Sequence, residues 1–143
     1  MQARANRLLA IGAAMSGFAA LMHLACIVVG APLFRLLGAG EHMAQMHLAG
    51  QWYPTIVTLV IACVLTAWSL YALSGAGLIR RLPLRRTVLS AITALYLTRG
   101  LAFAPAMAYF PGNSTTFWMV SSSICLLIGA IHLAGLRQRW AML

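Results

Sequence analysis

The sequence predicts an all-α protein: a four-helix transmembrane bundle with a loop or short interfacial helix between helices 1 and 2. Three observations predict it. Of 143 residues 62% are hydrophobic and only 8% are charged, against about 25% charged in ordinary soluble chains. Mean hydropathy is +0.89. Four apolar runs, parted by turn residues, each reach about the 20 residues that cross roughly 30 Å of hydrocarbon. The same figures exclude a soluble globular domain and a disordered chain. Because the bilayer core holds no water, such runs must satisfy their backbone groups internally, as helices. Residues 1–143 read as a single transmembrane domain.

The first span covers residues 8–30. Arg4 and Arg7 before it resemble the start of a signal peptide, yet the apolar stretch exceeds the about 7 to 15 residues of such a segment. Leu24-Ala25-Cys26 has the small-residue pattern of a lipoprotein cleavage site, but His23 stands where that motif needs an aliphatic side chain. The segment reads as an uncleaved anchor. Gly12 with Ser16, and Ala13 with Gly17, place small residues at helical spacing for close helix approach. The second span covers residues 54–74, with Pro54 at the first helical position, where a missing N–H costs nothing. Ser74-Gly75-Ala76-Gly77 ends it. The third covers 87–110, with Thr87 as N-cap and Pro105 bending its last third. The fourth covers 115–136. The two halves share no internal repeat, so an inverted-repeat transporter gains no support from symmetry.

Charge placement predicts orientation. There are ten Arg, no Lys and one acid, Glu41, for a net charge of +9. In a soluble chain that excess would point to nucleic acid; here the arginines sort by loop. Arg4, Arg7, Arg80, Arg81, Arg85, Arg86, Arg137 and Arg139 fall on one side of the spans. The first outer loop has only Arg35, and residues 111–114 have none. The positive-inside rule then makes the N- and C-termini cytoplasmic in a multi-pass protein of the bacterial inner membrane. Membrane lipids are the expected partners, with the basic side holding anionic headgroups, and nucleic acid is not expected. A homo-oligomer or a partner in a membrane complex stays open. Trp52, Tyr53, Tyr109, Phe110, Phe117 and Trp118 form an outer aromatic belt, and Trp140 marks the inner face. Asn113-Ser114-Thr115 matches a glycosylation acceptor, but in a bacterial membrane it reads as a turn leading into a helix cap. Cys26, Cys63 and Cys125 lie in apolar runs and read as small hydrophobes.

Arg99 is the first candidate for chemistry. Counted from Thr87 it sits about 18 Å into the hydrocarbon slab, where a cation costs on the order of 3 kcal/mol and must find a partner inside the bundle. Glu41, the sole acid, could dip in from the first loop to meet it, or Arg99 could await an anionic ligand. Alternatively, Arg99 bonds carbonyls freed by the Pro105 bend and only shapes the fold. His23, Thr58 and Ser121, Ser122 and Ser123 fall within a few ångströms of the same depth. All four helices therefore contribute to a polar pocket that opens outward beneath the first loop. His23 alone could equally bond a carbonyl, and the serines could bond the preceding turn.

The first loop, residues 31–51, has a composition of its own. Residues 32–37 form a short amphipathic turn, Gly38-Ala39-Gly40 breaks it, and residues 41–47 follow. There His42 pairs with Met46, and Met43 with His47, at i to i+4. Imidazole and thioether suit copper(I), but the first and last histidines lie about 140° apart around a helix, so a lid helix is the favoured reading and a metal site the weaker alternative. Haem between His23 and His132 fails on depth, the two differing by roughly 15 Å. His132 is expected beside Arg137 and Arg139 at the inner interface. No cofactor is predicted, with quinone or copper as alternatives.

Gln51-Trp52-Tyr53-Pro54-Thr55, Leu70-Tyr71-Ala72-Leu73-Ser74-Gly75-Ala76-Gly77 and Arg80-Arg81-Leu82-Pro83-Leu84-Arg85 resemble a group of small proteobacterial inner-membrane proteins. More distantly the plan is similar to the DoxX-like proteins: four helices, a polar outward loop after the first, and an intramembrane Arg on the third. The resemblance implies an accessory role beside membrane redox or maturation systems and carries over no catalytic residue. The function expected is that of a small accessory or binding membrane protein. Its pocket of Arg99, Glu41, His23 and Ser122 would take an anionic or amphiphilic ligand such as a lipid headgroup or quinone. The alternatives are an integral-membrane enzyme acting on a lipid, with Glu41 or His23 as general base, and a small transporter or pore subunit.

Overall fold

The computed structural model describes residues 5–109 and 112–143; Arg4, Phe110 and Pro111, used above for topology, belt and loop, lie outside the described residues. The chain forms α1 (Arg7–Val29), α2 (Ala31–Leu36), α3 (Glu41–Leu48), α4 (Trp52–Ala76), α5 (Arg85–Leu101), α6 (Phe103–Tyr109) and α7 (Thr115–Arg139), then a closing 3-10 turn (Trp140–Met142). No strand occurs among the described residues. Helices α1, α4 and the stretch Thr115–Met142 are each long and apolar enough to cross a membrane, and α5 with α6 qualifies as a pair bent by 71°.

The helices pack in an order of size that suits an apolar surround. On α1, Gly12, Ala13, Ser16 and Ala20 are buried, while Phe18, Leu21, Val28 and Val29 are exposed. Small residues inward let backbones approach, and bulky apolar residues outward suit lipid rather than water. Helix α1 lies along α4 on one side and α7 on the other, and α5 lies along α7. Leu65, Leu89, Ile92, Tyr96, Ile128 and Leu136 form the shared core. Within it Ser16 and Tyr96 share a hydroxyl hydrogen bond of 2.9 Å, and Ser69 donates to the Ala13 carbonyl at 2.8 Å.

The helix ends differ from expectation in instructive ways. Asn6 caps α1, accepting from the Leu9 amide at 2.8 Å. Its own amides donate to Ala76 O and Gln138 Oε1, so one residue joins three segments. Pro54 is the third residue of α4 rather than the first, still within the turn whose N–H groups lack helical acceptors. Gly77, at φ 81, closes α4, with Gly77 N bonded to Ser74 O and Leu78 N to Leu73 O; this paired closure requires the left-handed residue. Thr87 is not a cap. Helix α5 starts at Arg85 after Leu84, whose φ of 52 is the one positive value at a non-glycine among the described residues. The bend falls at Ala102, three residues before Pro105. The proline lacks the N–H that Leu101 O would accept, so the chain breaks where that bond is missing. Ser114 caps α7 by accepting from Phe117 N at 3.1 Å.

His132 corrects the sequence reading. It is not grouped with the terminal arginines but fully buried, at 0% exposure. Its ring lies 5.6 Å from that of Tyr96 and against Gly12, where a Cβ would approach Cε1 to 2.5 Å. Gly12 makes the room that lets a histidine enter the core.

Candidate functional site

At the end of the helices away from the arginine-rich termini lies a cavity of about 730 Å³, within the size range of ligand pockets. Helix α1 supplies His23 and Cys26, α4 supplies Val57, Thr58 and Ile61, α5 supplies Arg99, and α7 supplies Phe117 and Trp118. The segment from Gly38 to Met43 covers it. Asn113 Nδ2 donates to Gly38 O at 2.9 Å, and Gly38 sits directly under the Phe117 ring, so close that a Cβ there would overlap it. These two contacts fasten the cover to the start of α7.

Arg99 occupies the wall of this cavity. Its Nη1 donates to Ser122 Oγ at 3.1 Å and its Nη2 to Ser121 Oγ at 3.2 Å. The guanidinium carbon lies 4.8 Å from the Trp118 ring centroid. The face of an indole attracts a cation, so the ring and two hydroxyls take the place of the carbonyls freed by the Pro105 bend. None of these partners carries charge. Ser122 is buried behind Arg99 and positions it rather than lining the cavity.

The predicted partner of Arg99 is elsewhere. Glu41 lines the cavity rim, but its carboxylate forms a fork with Arg35, at 2.6 Å to Nε and 2.8 Å to Nη2, and also accepts from Gln45. The Arg35 fork, with Gln45 adding to it, holds the Glu41 carboxyl down to about 2. A carboxylate so held is a weak base at neutral pH, which speaks against Glu41 as a proton acceptor. The contact of Glu41 with Arg99 is therefore replaced by a local pair spanning Gly38-Ala39-Gly40, whose short closure costs little.

His23 Nδ1 meets Ala19 O at 2.7 Å. A carbonyl only accepts, so Nδ1 carries a proton and donates to it, which leaves Nε2 as the ring nitrogen open to a ligand. The cavity thus combines cationic donors at Arg99, the imidazole of His23 and a hydroxyl at Thr58, on mainly apolar walls. Three of the candidate metal ligands, His42, Met43 and His47, do not share one place. His42 and Met43 line the cavity, whereas His47 lies against Gly30 with its ring 5.3 Å from Phe34. Among the described residues no three of His, Cys, Asp and Glu come together. Sequence reasoning missed Trp118 as a partner of Arg99, although its position one turn before Ser121 and Ser122 was a usable signal.

The class of protein these features define is broad: an all-helical chain with three to four helices of membrane-crossing length and an arginine-walled cavity at one end. No family model, curated protein or solved structure matches the chain, so no particular family is assigned.

Proposed function

We propose that the protein is a small integral inner-membrane protein, a four-helix transmembrane bundle with both termini cytoplasmic. In this reading the Arg99 cavity opens outward and binds an anionic or amphiphilic molecule, a lipid headgroup or quinone, in an accessory role of the kind the DoxX-like resemblance implies. One observation carries the reading. Arg99 faces a cavity with only neutral partners among the described residues, because the sole acidic side chain is held by Arg35. A guanidinium in an apolar surround is costly without a counter-charge, and a ligand oxygen bearing negative charge would supply it through the fork of donors. His23 Nε2 and Thr58 offer the second contact that a headgroup hydroxyl or a reduced quinone needs.

Native mass spectrometry of protein released from mild detergent tests this. The wild type is expected to retain a small anionic or amphiphilic molecule, Arg99→Gln to lose it, and Arg35→Gln to keep it. A folded wild type that carries nothing, or an Arg99→Gln variant that retains the same mass, overturns the proposal.

A further inference from the structure

The opposite end of the molecule gathers cations around a second cavity, of about 520 Å³. Arg80, Arg81, Arg85 and Arg139 line it together with Ser74 and Met142. Arg139 is 7% exposed; its Nη2 donates to Ala76 O at 2.8 Å, and its buried Nε has no partner among the described residues. Arg85 donates to Ser74 O at 3.2 Å and to Leu143 O at 3.4 Å. Ser74 Oγ organises the turn, donating to Arg80 O and accepting from Leu82 N, both at 2.9 Å. Ala76, Ser74 and Arg80 offer neutral backbone oxygens, Ser74 a hydroxyl and Met142 a thioether that accepts from Arg139 Nη1 at 3.4 Å, while the Leu143 oxygen belongs to the terminal residue's carboxylate, one negative charge against four guanidinium groups. The side chains of Arg80 and Arg81 are exposed and make no hydrogen bond among the described residues.

Four like charges that share one concavity raise the potential inside it and draw an anion. Glu41 cannot serve, since it belongs to the opposite end and is bonded to Arg35. Exposed Ile79 lines the cavity with the arginines, Leu84 and Trp140 are exposed next to Arg85 and Arg139 in the chain, and Arg86 stacks over the Trp140 ring at 5.0 Å. Exposed apolar side chains next to cations match a bilayer surface, where a phosphate meets its glycerol and acyl chains.

We propose that this basic cavity seats the phosphodiester of an anionic phospholipid. Arg80 and Arg81 are the free forks that grip its oxygens, while Arg139 and Arg85 form the inner wall. The inference uses the membrane placement proposed above but not the ligand of the Arg99 cavity. The full-length protein in a nonionic detergent provides the test, with its thermal midpoint followed against three probes at matched ionic strength: dihexanoyl phosphatidylglycerol, dihexanoyl phosphatidylcholine and sodium phosphate. Phosphatidylglycerol is expected to raise the midpoint saturably and the other two to leave it nearly unchanged, since a ligand that binds only the native state stabilises it. Arg80→Gln with Arg81→Gln is expected to leave the ligand-free midpoint in place and weaken the response at least about tenfold. Replacing both with Lys is expected to restore part of it, and Arg99→Gln is expected to respond like wild type. An equal response to phosphatidylcholine overturns the proposal. So does a phosphate response matching that of phosphatidylglycerol, which would make the ligand a free anion. A response lost in Arg99→Gln but kept in the double variant also overturns it, and moves the lipid to the other cavity.

Discussion

Glu41 and Arg35 stand six residues apart across a glycine-rich break, and they meet as a two-bonded fork. Their pairing gives the cover of the Arg99 cavity a pH response whose sign can be worked out. The Glu41 carboxyl is held below its ordinary 4.5, at about 2. The tie is therefore present above pH 4.5 and is lost as pH falls toward about 2. Amide hydrogen exchange in α2 and α3 is expected to accelerate across that window, corrected for the intrinsic rate. Glu41→Gln should show the faster exchange already at neutral pH, and identical profiles for the two proteins would remove the role. At this scale the sequence was half legible. Arg99 stood out because a cation among apolar residues has a cost that depth alone reveals. Its partners did not, because contact with the Trp118 face and the Ser121 and Ser122 hydroxyls depends on how α5 and α7 are rotated about their axes. The lone acid was a misleading guide, since a nearby guanidinium reached by a short loop wins over a distant one.

The first, second and fourth spans were read as helices to within a few residues, and the third as one bent span where the chain forms α5 and α6, because long apolar runs in a short chain satisfy their backbone groups within each segment. The ends were harder, since a cap or a break turns on one backbone bond: the 71° bend lies at Ala102 although its cause is Pro105. Pro105→Ala restores the donor for Leu101 O and is expected to open the angle between α5 and α6. Spin labels at exposed Leu95 and Ala108 should then move apart, and with them Tyr109, which lines the Arg99 cavity. An unchanged distance would place the cause of the bend in packing against α7. Helix packing makes a second prediction. A Cβ at Gly12 would lie 2.5 Å from the His132 ring, which is fully buried and cannot retreat. Gly12→Ala is expected to cost about 1–3 kcal/mol, as overpacking of a filled core does. Gly112→Ala, where a Cβ meets nothing within 4 Å, should stay within about 0.5 kcal/mol. Thermal unfolding of both variants in the same detergent checks the contrast, and equal midpoints would mean that α1 and α7 do not press together at that level.

For the whole molecule the question is whether α5 and α6 cross the membrane or dip in and return, since a 71° bend is compatible with either by length alone. Contacts at the two ends decide what to expect. Asn6 is bonded to Gln138 and Ala76, so the start of α1, the end of α4 and the end of α7 share one end. Asn113 is bonded to Gly38, so the connection before α7 shares the other end with the segment after α1. A chain that leaves the first end at Arg85 and reaches Asn113 at the second has traversed the full length, bend included. Four crossings are then the expectation, with eight of the ten arginines expected on the cytoplasmic side. In a background with Cys26, Cys63 and Cys125 replaced, single cysteines at Ala39 and Gln51 are expected to react with an impermeant maleimide in intact cells. Those at Arg81 and Gln138 should react only after lysis. Labelling of Gln138 together with Ala39 in intact cells would make the bent pair a re-entrant loop. It would also put Arg80 and Arg81 on the opposite side from the C-terminus, a separation that the hydrogen bonds of Arg85 to Leu143 and of Arg86 to Trp140 do not allow within one folded chain.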